Sequence, residues 1–171
     1  MAFGHSAGGH LASLLTVHPS YANLRPAIRG LVSMSGAYAL EGLNMAVFGS
    51  ALDQTFHGGH QDNSAELAEA SPATYVASGM ALPPVYLLHA QGELPSLSEQ
   101  TLGFKARLEA AGLPVRHDYL PGYTHTTEME AIADVNAQPT ALIVAFIEEV
   151  LGLDGLNRAW LPLVLNGSVL P

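Results

Sequence analysis

Short apolar runs alternate along this chain with segments whose apolar residues recur at helical spacing, and this alternation narrows the possible folds. Ala2-Phe3 runs into Gly4-His5-Ser6-Ala7-Gly8-Gly9, after which Leu11, Leu14 and Leu15 follow a helical pattern through His18. Ile28 to Met34 reads as a buried strand closed by Ser35-Gly36, Pro84 to Ala90 as a second, and Val115 to Leu120 as a third that ends at Pro121-Gly122. A helix fits Ser98 to Ala111, with Phe104, Leu108 and Ala111 on one face and Gly112 as its stop. Ile143, Phe146, Ile147, Val150 and Leu151 mark a final helix ended by Gly152. Residues 39–70 read as irregular, with turn signals at Gly49-Ser50, Gly58-Gly59 and Asp62-Asn63-Ser64, and Ser71-Pro72 as an N-cap with Pro at the first helical position. Strands alternating with helices predict an α/β fold, a mostly parallel sheet flanked by helices. In such sheets ligands bind beyond the carboxyl ends of the strands.

Composition removes whole classes of function. The 171 residues fit one domain, and a hydrophobic share of 49% is enough for a core and excludes disorder. Six Lys and Arg against 15 Asp and Glu leave a net charge of −9, which argues against a nucleic-acid partner or an anionic membrane surface. With no Cys there is no disulfide framework, thiolate metal cage or Cys nucleophile. The apolar runs fall short of the roughly 20 residues that span a bilayer. Met1 precedes the glycine-rich motif too closely for a signal or transit peptide, so the expected compartment is the cytoplasm.

Gly4-His5-Ser6-Ala7-Gly8 matches G-x-S-x-G, with a further Gly9. That spacing suits a sharp strand-to-helix turn which holds a serine in a strained conformation with its hydroxyl above the sheet. Small residues two before and two after the serine let the strand and helix backbones approach. The Ala7 N–H, at the helix start, is then placed to donate to a developing oxyanion.

A serine hydroxyl is a poor nucleophile at neutral pH and needs a base, most often a histidine oriented by a carboxylate. On a strand-turn-helix elbow the chain order is Ser, then Asp or Glu, then His. Glu93 follows the Pro84–Ala90 strand, and His125 follows the Val115–Leu120 strand in the loop Pro121-Gly122-Tyr123-Thr124-His125. The interval between them accommodates one helix and one strand. Ser6, Glu93 and His125 are therefore the candidate triad.

The other histidines and acids read differently. His5 and His10 flank the elbow and pack or hydrogen-bond locally, with His5 also placed to line a substrate mouth. His89, at a strand end, reads as a partner for a loop backbone, His117 as a strand residue and His18 as lying near a helix end. His57-Gly58-Gly59-His60 with Asp62 could be drawn as a metal site, but its glycines suggest a loop and no fourth ligand is implied, so no metal and no cofactor is expected. Glu99 sits in a helix start, Asp118 in mid-strand, and Glu128 and Glu130 on a polar stretch after His125.

Together, Gly4 to Ala12, the Ser71-Pro72 step, the Glu93 loop and the His125 loop resemble the alpha/beta-hydrolase superfamily, in particular its esterase/lipase group with kynurenine formamidase-like and feruloyl-esterase-like enzymes. The resemblance covers residues 1–152 and leaves 153–171 as an apolar tail of no assigned role. It implies a serine hydrolase of carboxylic esters, or of small amides or formamides, acting through Ser6, His125 and Glu93, with Ala7 in the oxyanion hole. The chain departs from the family in three ways. Its acid loop, His89-Ala90-Gln91-Gly92-Glu93, carries a Glu where the family usually has Asp. The family's His-Gly-Gly oxyanion segment lies before the elbow, and His57-Gly58-Gly59 follows it instead. The sequence opens inside the nucleophile strand, so the resemblance implies a partial fold without its N-terminal half, reduced turnover, and self-association through an exposed sheet edge. A non-catalytic relative acting as a binding module and a peptidase of the prolyl-oligopeptidase type remain open beside the esterase. The apolar residues Tyr38, Met45, Phe48 and Phe56 fit a pocket wall or a core. Asn166-Gly167-Ser168 fits a glycosylation acceptor in a secreted protein.

Overall fold

A computed structural model describes residues 1–56 and 64–153. Four strands, β1 (Ala2–His5), β2 (Leu31–Met34), β3 (Val85–Gly92) and β4 (Val115–Thr124), form one parallel sheet in the order β1-β2-β3-β4. The helices are α1 (Ala7–Val17), α2 (Met45–Thr55), α3 (Ser64–Glu69), α4 (Leu97–Ala110), α5 (Thr127–Glu130) and α6 (Gln138–Leu151), with short 3-10 turns between them. Among the described residues no helix is long and apolar enough to cross a membrane. His57, Gly58, Gly59, His60 and Asp62, and nearly all of the apolar tail with Asn166-Gly167-Ser168, lie outside the described residues.

Apart from Ser33, hydrogen-bonded to Gly9 and Tyr38, and the polar end of β3 from His89, the two inner strands are apolar on both faces, as expected of strands covered by helices on both sides. Leu31, Val85 and Leu87 point to the face packed by α1 and α4, where Val17, Phe104 and Leu108 complete one core. Val32, Met34, Tyr86 and Leu88 point to the other face, where Leu120 of β4 and Ile143 and Phe146 of α6 complete a second. A satellite cluster of Leu40, Leu43, Leu52, Leu67 and Leu97 lies under the segment between β2 and β3.

The helix α1 packs differently from the pattern of its leucines. Leu11 is 62% exposed, and the buried residues are Gly9, Ala12, Ser13, Thr16 and Val17. The elbow brings α1 so close to β1 and β2 that mostly small side chains fit between them. Ser13 and Thr16 donate their hydroxyls to the carbonyls of Gly9 and Ala12, at 2.7 and 2.8 Å, so these buried polar groups are satisfied within the helix itself.

Residues 39–70 are more regular than their turn residues suggest. Asn44 caps α2 by accepting the Ala46 N–H at 3.1 Å, and the Gly49-Ser50 step lies inside that helix, with Gly49 buried. Ser71 caps nothing. Its hydroxyl donates to the Leu67 carbonyl at 2.6 Å and accepts the Leu40 N–H at 2.8 Å, and Pro72 opens a single 3-10 turn. Gln100 of α4, also buried, ties the chain after β2 to the helix: its Oε1 accepts from the N–H groups of Tyr38 and Ala39 and its Nε2 donates to the Ala39 carbonyl. These contacts hold the segment that leads from β2 into α2 across the top of the sheet.

His89 pairs with another side chain rather than with a loop backbone. Its Nδ1 lies 2.9 Å from His117 Nε2 on the neighbouring strand, with the rings stacked at 5.0 Å. Burial holds both below the ordinary imidazole value of 6.5, and for His117 the nearness of His89 and Lys105 adds to it. Burial also lowers His10, despite its hydrogen bond to the Ala37 carbonyl. A histidine lowered on folding takes up its proton in the unfolded chain first, so its contribution to stability is lost as pH falls below about 6.5. Chemical denaturation across roughly pH 7.5 to 5.5 is expected to show falling stability, with a shallower slope in His117→Gln; a flat wild-type profile contradicts this.

Candidate active site

The parallel register brings four chain segments to one rim of the sheet, each leaving the carboxyl end of a strand. Ser6 follows β1, Ser35 follows β2, Glu93 follows β3 and His125 follows β4. This is where open α/β sheets bind ligands.

Ser6 has φ 54° and ψ −121°, a conformation that side-chain-bearing residues rarely adopt, and it joins β1 directly to α1. Its N–H donates to the Met34 carbonyl at 2.9 Å and its carbonyl accepts the His10 N–H at 3.0 Å, so the turn is fixed on both sides. Two glycines make this possible. A Cβ on Gly4 would lie 2.1 Å from the Gly8 carbonyl oxygen, and one on Gly9 would lie 2.9 Å from Ser33 Oγ. A Cβ on Gly8 would meet nothing within 4 Å, so the second position needing a glycine for close approach is three residues after the serine rather than two.

The three triad candidates converge. His125 Nε2 lies 3.0 Å from Ser6 Oγ, and His125 Nδ1 lies 2.8 Å from Glu93 Oε2. The Glu93 side chain is 4% exposed, yet its carboxyl stays below the usual value: burial would raise it, and the hydrogen bonds from His125, Ser35 and the Ala90 N–H, with the charge of His125, outweigh that. An ionised Glu93 only accepts, which keeps a proton of His125 on Nδ1 whether or not the ring is charged, and in the neutral ring leaves Nε2 to accept from the Ser6 hydroxyl. Glu93 Oε1 is occupied as well, by the Ala90 N–H at 3.0 Å and by Ser35 Oγ.

Residues 121–124, expected as a loop, continue β4, and this strand end and His125 after it are anchored to β3. The His125 N–H donates to the Gly92 carbonyl at 3.1 Å, and the Gly122 N–H donates to Gln91 Oε1 at 2.8 Å. Ala7 is the first residue of α1, so its N–H belongs to the helix start that has no intrahelical acceptor. His5 packs its ring on that of His125 at 4.6 Å and donates from Nε2 to the His125 carbonyl at 2.8 Å. It thus contacts the segment that carries the candidate base.

Sequence patterns did not single out two of the groups in this network. Ser35, with φ 46°, leaves β2 in a left-handed turn that carries its hydroxyl to Glu93; the cue was a Ser-Gly step at the end of a buried strand. Glu128, placed by its neighbours on a polar stretch, is fully buried against His5. His5, His125 and Glu128 offer ligand atoms within 4.8 Å of one another, but both ring nitrogens of His125 and Nε2 of His5 are already held by protein groups.

Beside Ser6 lies a cavity of about 290 Å³, lined mainly by apolar side chains including Leu11, Leu43, Phe48, Leu52 and Phe56. Phe48 and Phe56 thus line it, whereas Tyr38 is buried and stacked on Phe104 with ring centroids 4.4 Å apart, and Met45 packs on the leucine cluster. Larger surface clefts of about 450 and 500 Å³, one beside His18 and Tyr21 and the other beside Arg25 and Pro83, contain none of the triad candidates.

No protein-family model and no curated protein matches the chain. Solved structures do resemble it. A truncated carbohydrate esterase from gut microbiota superposes with a TM-score of 0.68 at 15% identity, covering 86% of this chain and 58% of its own. The thermophilic esterase Est2 of Thermogutta terrifontis, in its native form, gives 0.62 at 18% identity, covering 92% and 55%. Porphyromonas gingivalis dipeptidyl peptidase 4 gives 0.64 at 11% identity, covering 88% of this chain and 19% of that one. The chain spans a little over half the length of these esterases and about a fifth of the peptidase. The likeness is one of fold, a parallel sheet flanked by helices of the alpha/beta-hydrolase type.

Proposed function

We propose that this chain carries the catalytic groups of a serine hydrolase that cleaves carboxylic esters, or small amides or formamides. The observation that carries the reading is the unbroken hydrogen-bonded series from Ser6 through His125 to Glu93 at the strand ends. Ser6 Oγ attacks the acyl carbonyl carbon while its proton passes to His125 Nε2, and Glu93 stabilises the imidazolium that results. The negative charge on the carbonyl oxygen develops near the Ala7 N–H at the helix start. Collapse of the tetrahedral intermediate breaks the bond to the leaving group, which takes the proton from Nε2. Water, deprotonated by the same nitrogen, then attacks the acyl-enzyme and releases the acid and free Ser6.

Esterases among the similar structures favour the ester reading, and the apolar cavity beside Ser6 favours a small apolar acyl group. The peptidase reading draws on dipeptidyl peptidase 4, which shares the fold. Paired ester and amide substrates with the same acyl group separate these readings: faster amide turnover at equal binding favours the peptidase.

Ser6→Ala is expected to abolish labelling by a fluorophosphonate probe and turnover of p-nitrophenyl esters, with the fold retained by circular dichroism. A folded wild type that takes no label supports the non-catalytic binding module instead. Glu93→Gln places an amide donor against Nδ1, forces the proton onto Nε2, and is expected to lower kcat by about 10³- to 10⁴-fold with little change in KM. Ala51 lines the cavity beside Ser6. Ala51→Trp is expected to lower kcat/KM for p-nitrophenyl butyrate relative to the acetate by about tenfold or more; an unchanged ratio would place the acyl group elsewhere.

A further inference from the structure

Glu128 is a fully buried carboxylate that the proposed reaction does not use. It lies on the short helix α5, three residues after His125, with a side-chain exposure of 0%. Neither of its oxygens accepts a hydrogen bond of ordinary geometry among the described residues. Its ionic neighbour is His5, whose Nε2 stands 3.2 Å from Glu128 Oε1. A carboxylate without water or a partner is costly to bury, and a cation facing it offsets that cost.

His5 is also the residue before the nucleophile, and the same Nε2 donates to the His125 carbonyl at 2.8 Å. We propose that Glu128 and His5 form a buried ion pair that keeps Nε2 of His5 protonated and thereby holds the backbone of His125, and with it the imidazole, over Ser6. Both are positioning residues, and the inference rests on the hydrolase reading given above.

The mechanical logic follows from which parts of the site are rigid. His5 belongs to β1 and is paired with Met34 in the sheet, whereas His125 sits in a loop after β4. The loop is held from one side by the Gly92 carbonyl, which accepts the His125 N–H, and from the other by His5, which donates to the His125 carbonyl. A neutral imidazole has two tautomers, and the one protonated on Nδ1 leaves the His125 carbonyl without its donor. A carboxylate facing Nε2 removes that alternative, because it favours the imidazolium, protonated on both nitrogens, and in the neutral ring the form protonated on Nε2. Glu93 orients the His125 ring from Nδ1, and Glu128, acting through His5, orients the main chain that carries it. The groups that bear on the charge of His5 are Glu128 on α5, His125 and its carbonyl, and Glu93 after β3. Burial would lower His5, and the close contact and charge of Glu128, the His125 carbonyl and the Glu93 charge together raise it above 6.5.

The test compares wild type with Glu128→Gln, which keeps the shape and removes the charge. Two readouts are needed: the NMR titration of the His5 ring, which requires no activity, and the kinetics of fluorophosphonate labelling and p-nitrophenyl acetate turnover. In wild type His5 is expected to titrate above its ordinary value and in Glu128→Gln at or below it. In the same variant kcat and the labelling rate are expected to fall about 10- to 100-fold, with KM changed less than about twofold, the signature of a misplaced base. His5→Phe should lower kcat similarly, and adding Glu128→Gln to it should lower kcat no further, since the two act as one unit. Should Glu128→Gln not fold, His5→Phe with the wild-type titration carries the test. A wild type that labels, with Glu128→Gln or His5→Phe labelling at the same rate, overturns the positioning role alone. An unshifted His5 in wild type overturns the ion pair. A folded wild type that takes no label overturns the hydrolase reading on which the inference depends.

Discussion

Parallel pairing of the strands is the constraint on which the rest depends. Because β1 to β4 all run the same way, their carboxyl ends lie along one rim, and residues far apart in sequence meet there without any one segment having to bring them together. The rim receives a hydroxyl from each of the first two strands, a carboxylate from the third and an imidazole from the fourth. The inner strands are mainly apolar, since helices cover both sides, so the ionisable candidates gather at the strand ends, where backbone partners run out.

The elbow fixes the backbone of Ser6 at that rim. The close approach of α1 to β1, permitted by Gly4 and Gly9, holds Ser6 in a conformation that an isolated peptide would leave. The same approach replaces leucines with Gly9, Ala12, Ser13 and Thr16 on the buried side of the helix. Leu11 faces outward as a consequence and becomes part of the wall beside Ser6.

Charge at the rim is managed by pairing. Glu93 is buried and ionised because hydrogen bonds from His125, Ser35 and the Ala90 N–H, together with the charge of the imidazole, offset its desolvation. Glu128 is buried more deeply, with His5 as its ionic neighbour among the described residues. The two carboxylates act on the His125 segment in different places, one at the ring and one through the main chain. A low-dielectric site of this kind penalises any loss of a partner more than a surface site would.

The α/β class, the sheet strands, the two long helices after β3 and the candidates Ser6, Glu93 and His125 were legible in the sequence, because apolar runs, helical spacing and a glycine-serine-glycine turn are local signals. The helix α2 was not, since Gly49-Ser50 reads as a turn until Gly49 is seen to be packed in the interior. Ser35 and Glu128 were not, because nothing near them in the chain announces their partners: Ser35 meets Glu93 from a different strand end, and Glu128 is buried only once α5 folds against His5 of β1. The chain by itself determined which side chains could act and in what order they come, for these are properties of composition and spacing. Tertiary structure alone decided which acids are buried, which face of α1 is covered and which histidines share a proton, because burial and pairing depend on neighbours distant in sequence.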